Sequence, residues 1–217
     1  LTCDAGCTLQ ELDEYLQDKH PGLMLPLDMG SKATCQLGGN IATNAGGLNV
    51  IKYGGLSRYL LGIEAVRGDG HVLNMLRQLP KDNMGLRLSH LFLGSEGILG
   101  IITRVSLSLV PRPKYTSVAL LKLAKFQHVA HVLRSARETL GDNIGAFEFF
   151  DLPSVAAVRE AQAQLLQGLP FDVVPGAAGQ AGTASGSMSM SESGIPGSVF
   201  ILVQCSSSSV DLYDRLL

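Results

Sequence analysis

The sequence predicts an α+β fold in two parts, and three observations predict it. Hydrophobic residues make up 46% of the 217 and charged residues only 17%, enough apolar side chain for real cores and too little charge for a disordered chain. The second half alternates β-rich runs with amphipathic stretches, the order of a sheet layered with helices. The 25 glycines are placed unevenly, and between Gly38 and Gly55 they leave little room for regular elements.

In chain order, Thr8 to His20 reads as a helix. Thr8 can cap it with Glu11 three residues on, Leu9, Leu12, Tyr15 and Leu16 form one apolar stripe, and Pro21-Gly22 stops it. Gly62–Val66 and His71–Leu76 read as a strand pair turned at Gly68-Asp69-Gly70. Leu88–Leu93 is a short helical turn and Gly100–Val110 is β-rich. Pro111 and Pro113 punctuate the chain, which places a domain boundary between 1–112 and 113–217. Beyond it, Ser117–Leu123, Ala146–Phe150 and Val199–Cys205 read as strands. Helices are expected over Phe126–Leu140, from Pro153 to Leu166, and from Asp211. Residues 175–198, almost wholly Gly, Ala, Ser and Met, read as a flexible surface insertion.

Composition excludes several functions. Net charge is −2, with 17 basic against 19 acidic side chains, scattered and short of aromatics, so no nucleic-acid surface is expected. No apolar run reaches the ~18 residues of a membrane span. Cys3, Cys7, Cys35 and Cys205 form neither a disulfide framework nor a four-ligand zinc set and read as reduced structural thiols. His128 and His131 share a helix face without further ligands and read as ordinary helix residues, while His20, His71 and His90 have no evident partner. The chain starts at Leu1 without a Met and stops at Leu217 inside an expected helix, so a segment of a longer polypeptide is expected.

The chemistry is concentrated in Gln36-Leu37-Gly38-Gly39-Asn40-Ile41-Ala42-Thr43-Asn44-Ala45-Gly46-Gly47. Small side chains let a backbone approach a ligand, and glycine reaches conformations in which several N–H groups converge. A helical turn over Gly39–Asn44 would offer free N–H groups and a positive dipole end to a phosphate. Close approach of two chain segments would use the same residues. A second stretch, Gly94-Ser95-Glu96-Gly97-Ile98-Leu99-Gly100-Ile101-Ile102-Thr103, lacks both the G-x-G-x-x-G spacing and the Gly-Lys-Ser/Thr of a Walker loop. What remains is a phosphate-bearing ligand held by a loop-rich, non-Rossmann fold.

These residues carry a resemblance. Pro26-Leu27-Asp28-Met29-Gly30, Gly38 through Gly47, and Lys52-Tyr53-Gly54 closely resemble the PCMH-type FAD-binding domain of the D-2-hydroxyacid dehydrogenases, flavoproteins of the vanillyl-alcohol oxidase class. Gly62–Val66, Asp69-Gly70 and Gly94-Ser95-Glu96-Gly97-x-x-Gly100 follow in the family's order, and Phe147–Asp151 matches more weakly. Pro80-Lys81-Asp82-Asn83-x-Gly85 before Leu91-Phe92 is most similar to the members acting on D-2-hydroxyglutarate, rather than on D-lactate or glycolate. The resemblance implies noncovalent FAD and hydride transfer from C2 of a D-2-hydroxy acid to flavin N5, giving the 2-oxo acid. It implies electron-transfer flavoprotein as acceptor, a mitochondrial matrix location, and an α/β-layered substrate (cap) domain beginning at 113. It admits a homodimer and a divalent metal such as zinc.

Carried over by position, the resemblance puts Pro26, Leu27, Gly30, Gly38, Gly39, Asn40, Thr43, Asn44, Gly46, Tyr53 and Gly54 around the flavin. Glu96, Gly97, Gly100, Ile101 and Ile102 line the other wall, the isoleucines through backbone amides. Ile98 stands where the family usually has Thr, and Leu86-Arg87 where it has Tyr-Asp. The family's other phosphate loop, its substrate arginine and its metal-binding His and Glu residues have no counterpart here, so no catalytic residue and no metal ligand are assigned. Two readings stay open: part of a flavin-dependent dehydrogenase, or a truncated product that turns nothing over. Dye reduction by these 217 residues alone would eliminate the second.

Overall fold

A computed structural model describes residues 1–83, 85–162, 164 and 199–208. The expected insertion at 175–198 and the helix from Asp211 lie outside the described residues. The described chain divides into two units. The first holds Leu1–Ser117, Asp142–Ala146 and the described residues from Gln204 onward; the second holds Val118–Gly141 and the described residues between Phe147 and Val203.

In the first unit, β1 (Thr2–Asp4) leads into α1 (Leu9–Lys19). The capping box is complete: the Glu11 N–H donates to Thr8 Oγ1 at 3.2 Å and the Thr8 N–H donates to Glu11 Oε2 at 2.8 Å. Leu9, Leu12 and Leu16 are buried. Tyr15, expected in the same stripe, is 50% exposed and meets the edge of His20 instead. Hydrogen bonds from the Thr8 backbone and side chain hold the Glu11 carboxyl below the ordinary glutamate value of 4.5. A depressed folded value means that the cap stabilises fully above about pH 4.5 and loses that contribution as pH falls through the folded value. Thr8→Ala is expected to cost about 1 kcal/mol, or roughly 2–4 °C in Tm. Acid unfolding of that variant should show a shallower stability loss below about pH 4.5 than the unaltered chain.

The main sheet has the order β1-β5-β3-β4, from β1, β3 (Leu60–Val66), β4 (Val72–Asn74) and β5 (Ile101–Leu107). All its pairings are antiparallel, with Cys3 opposite Val105, Ile63 opposite Val105 and Val66 opposite Val72. The β3–β4 turn is the expected hairpin: Gly70 takes φ 81°, and the Arg67 N–H donates to the His71 carbonyl at 3.0 Å. Ile63, Ala65, Val105 and Leu107 join Leu12, Leu16, Leu37 and Ile41 in one buried core. Two short elements fall in the glycine-rich stretch expected to leave little room for any, α2 (Leu37–Ala42), overlapping the conditional turn at Gly39–Asn44, and α3 (Val50–Tyr53). A further unexpected pairing joins β2 (Leu23–Met24) to β6 (Val110–Pro111), where Arg112 also donates to Asp13 Oδ1 at 2.6 Å.

Burial, then the charge of and hydrogen bond with Cys7, push the Cys3 thiol up to about 11. It therefore stays a thiol at neutral pH. Iodoacetamide at pH 8 should alkylate it on the order of a hundredfold slower than a free cysteine, with the difference vanishing in denaturant.

The second sheet orders β7 (Tyr115–Leu123), β9 (Val199–Ser207) and β8 (Ile144–Asp151) with β9 in the centre. Successive β9 side chains point to opposite faces. Val199, Ile201 and Val203 pack with Val129, Val132 and Leu140 of α4 (Val129–Leu140), whereas Phe200 packs with Val155 of α5 (Leu152–Gln162). Burial on both faces explains the continuous apolar run of this strand. Asp151 caps α5, accepting from the Ser154 N–H at 2.9 Å and Oγ at 2.6 Å. Among the described residues, no helix is long and apolar enough to cross a membrane.

Candidate functional site

α2 begins beneath the end of β1, and this placement decides what its amides do. The Leu37 N–H donates to the Cys7 carbonyl at 3.0 Å, and the Gly38 N–H to the Ala5 carbonyl at 2.8 Å. The Asn40 N–H returns to Gln36 at 3.0 Å, which leaves Gly39, among the described residues, with the free amide of this first turn. The expected cluster of free N–H groups is thus reduced, because the loop after β1 presents its own carbonyls there and consumes them. Gly38 is buried, and a Cβ on it would stand 2.7 Å from that of Ala5; its bareness serves packing. Asn40 is also buried, 5% exposed, with its amide toward Cys35 Sγ at 3.6 Å. Thr43 Oγ1 donates back to the Gly39 carbonyl at 2.9 Å.

The two glycine-rich stretches meet at the other end of α2. The Gly94 N–H donates to the Ile41 carbonyl at 3.0 Å and the Glu96 N–H to the Ala42 carbonyl at 2.8 Å. Helix-end carbonyls need such partners, and a distant turn supplies them here. The supply requires left-handed backbone at Gly94 (φ 74°), Glu96 (φ 50°) and Gly97 (φ 85°), opposite Asn44 (φ 49°). Gly39, Thr43, Asn44, Gly46, Glu96 and Gly97 are all exposed in this neighbourhood. A Cβ built on Gly30, Gly39 or Gly97 meets nothing within 4 Å, so open space lies beside the backbone there. That is the fit a flat, phosphate-bearing cofactor requires of a bare chain.

A second group of site residues is packed more tightly. Pro26, Leu27 and Gly54 close with Val50, Leu56 and Tyr59 around a void of only about 10 Å³. The Tyr53 carbonyl accepts from Tyr59 Oη at 2.7 Å and Arg58 Nη1 at 3.3 Å, while burial and then Tyr59 raise the Tyr53 hydroxyl above its ordinary pKa. Lys52 Nζ donates to the Ser206 carbonyl at 2.6 Å and Oγ at 3.0 Å, and burial lowers its pKa. This anchor of α3 lay unremarked in the Lys52-Tyr53-Gly54 motif, whose only local signal was a lysine in an apolar helix turn. Gly100, at φ 145°, is bare because a Cβ would overlap the Val66 carbonyl. Ile101 and Ile102 pair with Val66 and Ala65, past the last β1 pair at Asp4–Arg104. His90 does have partners, the Ser57 carbonyl at 3.1 Å and Ser89 Oγ at 3.3 Å. Among the described residues, no group of three His, Cys, Asp or Glu could hold a metal.

A sequence profile described as "FAD binding domain" matches residues 1–76. The mitochondrial D-2-hydroxyglutarate dehydrogenase of Bos taurus is 47% identical over 159 residues, covering 73% of this chain and 29% of that protein. Over some seven-tenths of its length the chain is similar to D-2-hydroxyglutarate dehydrogenases. The Danio rerio enzyme of that name is 48% identical over 151 residues, covering 70% of this chain and 28% of its own length. The D-2-hydroxyglutarate–pyruvate transhydrogenase of Saccharomyces cerevisiae is 36% identical over 169 residues, with 78% and 33% covered. This chain therefore spans about a third or less of the length of these relatives. Among solved structures, an alkyldihydroxyacetonephosphate synthase superposes with a TM-score of 0.65 at 19% identity, covering 99% of this chain and 36% of that one, a likeness of fold.

Proposed function

We propose that these residues form part of an FAD-dependent dehydrogenase that oxidises D-2-hydroxyglutarate, or a related D-2-hydroxy acid, to the 2-oxo acid. The observation that carries this reading is the exposed, side-chain-poor surface where α2 meets the 94–97 turn, in a chain 47% identical to a D-2-hydroxyglutarate dehydrogenase. FAD, when bound, supplies a hydride acceptor at N5. The chain's own part is to hold it. The Gly39 amide is available to a phosphate oxygen, and Thr43, Asn44, Gly46, Glu96 and Gly97 border the same open surface. Gly38, Asn40, Pro26 and Gly100 act from beneath by fixing the backbone that carries those residues. The Tyr53-Gly54 turn is held by Tyr59 and Arg58.

On this reading, residues 1–112 belong to the cofactor domain and 113–217 to a substrate domain. The acceptor is electron-transfer flavoprotein, the location is mitochondrial as in the relatives' names, and a zinc ion and a homodimer remain what the family resemblance admits. The complete gene product should purify yellow, and its flavin absorbance near ~450 nm should bleach anaerobically on adding D-2-hydroxyglutarate. A folded but colourless product would refute the reading.

A further inference from the structure

We propose that Cys3 and Cys7 form an oxidative modification site, where hydrogen peroxide joins them in a reversible disulfide. Three observations carry it. The chain folds back between them: the Cys7 N–H donates to the Asp4 carbonyl at 3.3 Å, making a turn across Ala5 and Gly6. The two thiols share a hydrogen bond, and both side chains pack against the margin of one core. Neither is sealed in, since both are partly exposed, and Gly6 between them is exposed with open space beside its Cα. The other two cysteines are placed differently. Cys35 Sγ accepts from Asn40 Nδ2 at 3.6 Å, and Cys205 feels the charge of Lys52.

A disulfide holds its sulfur atoms ~2.05 Å apart and its Cα atoms within roughly 4.4–6.8 Å. Thiols already in hydrogen-bond contact across a tight turn lie close to that arrangement, and an exposed glycine gives the turn freedom to complete it. The Cys7 sulfur attacks one peroxide oxygen, the O–O bond breaks, and water leaves behind a Cys7 sulfenic acid. The Cys3 sulfur then attacks the Cys7 sulfur. The S–S bond forms, the S–O bond breaks, and the hydroxyl departs with the Cys3 proton as a second water. Two cysteines lose two electrons and one peroxide gains them. Cys3 takes the second role because its thiol, pushed up to about 11, keeps its proton at neutral pH. The bridge would lie on the turn whose Ala5 and Cys7 carbonyls receive the Gly38 and Leu37 amides of α2.

The test is peptide mapping of the complete gene product. No Lys or Arg stands between Cys3 and Lys19, so trypsin leaves both cysteines in one peptide. Reduced protein, unfolded and treated with iodoacetamide, should yield that peptide with two labels. After the folded protein meets hydrogen peroxide, the peptide should carry no label and be lighter than the dithiol by two hydrogens, and dithiothreitol should restore both labels. Cys3→Ser should leave a Cys7 sulfenic acid that dimedone traps, whereas Cys7→Ser should leave Cys3 open to full labelling. None of these readouts depends on bound flavin. Peroxide-treated protein that still takes two labels, that carries sulfinic or sulfonic acid at Cys7 in place of the bridge, or that joins this peptide to the one holding Cys35 would overturn the proposal.

Discussion

Replacing Gly39 with valine is expected to remove FAD from the protein while leaving it folded. A Cβ at Gly39 meets no heavy atom within 4 Å, and its φ is not positive, so the chain itself has room for the new side chain. Valine is also a slightly better helix residue than glycine, and the change in folding stability should stay within about 0.5 kcal/mol. The cost falls on the ligand. Two methyl groups would stand over the amide of the first turn of α2 that the described residues leave free. Overpacking of ~1–3 kcal/mol corresponds to roughly fivefold to 150-fold weaker FAD binding. Equilibrium titration with FAD, alongside a melting curve, checks both halves. Stoichiometric FAD in a variant with an unchanged melting temperature would refute the placement of the loop. Gly39→Ala, with one methyl group, should fall between.

How much of this was legible in the residues depends on whether the deciding contacts are local. The first helix was readable because Thr8 and Glu11 cap it from within and Leu9, Leu12 and Leu16 repeat at helical spacing. The β3–β4 hairpin announced its own turn and β9 its strand character, whereas the burial of β9 on two faces emerges only from its packing against α4 and α5. α2 was readable only as a conditional turn, since glycine is a poor helix former. It stands because Cys7 and Ala5 receive its first amides and Gly94 and Glu96 serve its last carbonyls, partners that no local pattern announces. The same limit governs the glycines. Composition marks Gly38, Gly39, Gly47 and Gly100 as bare, yet only Gly39 faces open space, while the others admit a neighbouring backbone or side chain. Tyr15 illustrates the reverse error: at the margin of the apolar stripe of α1, an aromatic ring fits equally well against His20 outside the core.

Gly47→Ala should have the opposite signature, loss of fold before any question of ligand. A Cβ on Gly47 would overlap the Asp28 carbonyl oxygen and press on its carbon at 2.7 Å, with Met29 Sδ at 3.2 Å. Sulfur at the end of a flexible side chain can move aside; a carbonyl cannot without shifting the 26–30 segment. Leu25, next to that segment, lies in the buried core, and Leu27 and Met29 within it pack against that core, so a shift there opens it. The expected destabilisation is ~3–5 kcal/mol, at or above the upper end for overpacking, with a fall in Tm of roughly 10 °C or more. Thermal unfolding of the flavin-free protein measures this directly. Because Pro26, Leu27 and Gly47 pack around one void with Gly54, FAD affinity should fall together with stability in Gly47→Ala, whereas in Gly39→Val the two should separate. A Gly47→Ala protein of unchanged Tm would show that the 26–30 segment can yield, and the division between frame and ligand surface drawn above would fail at that position.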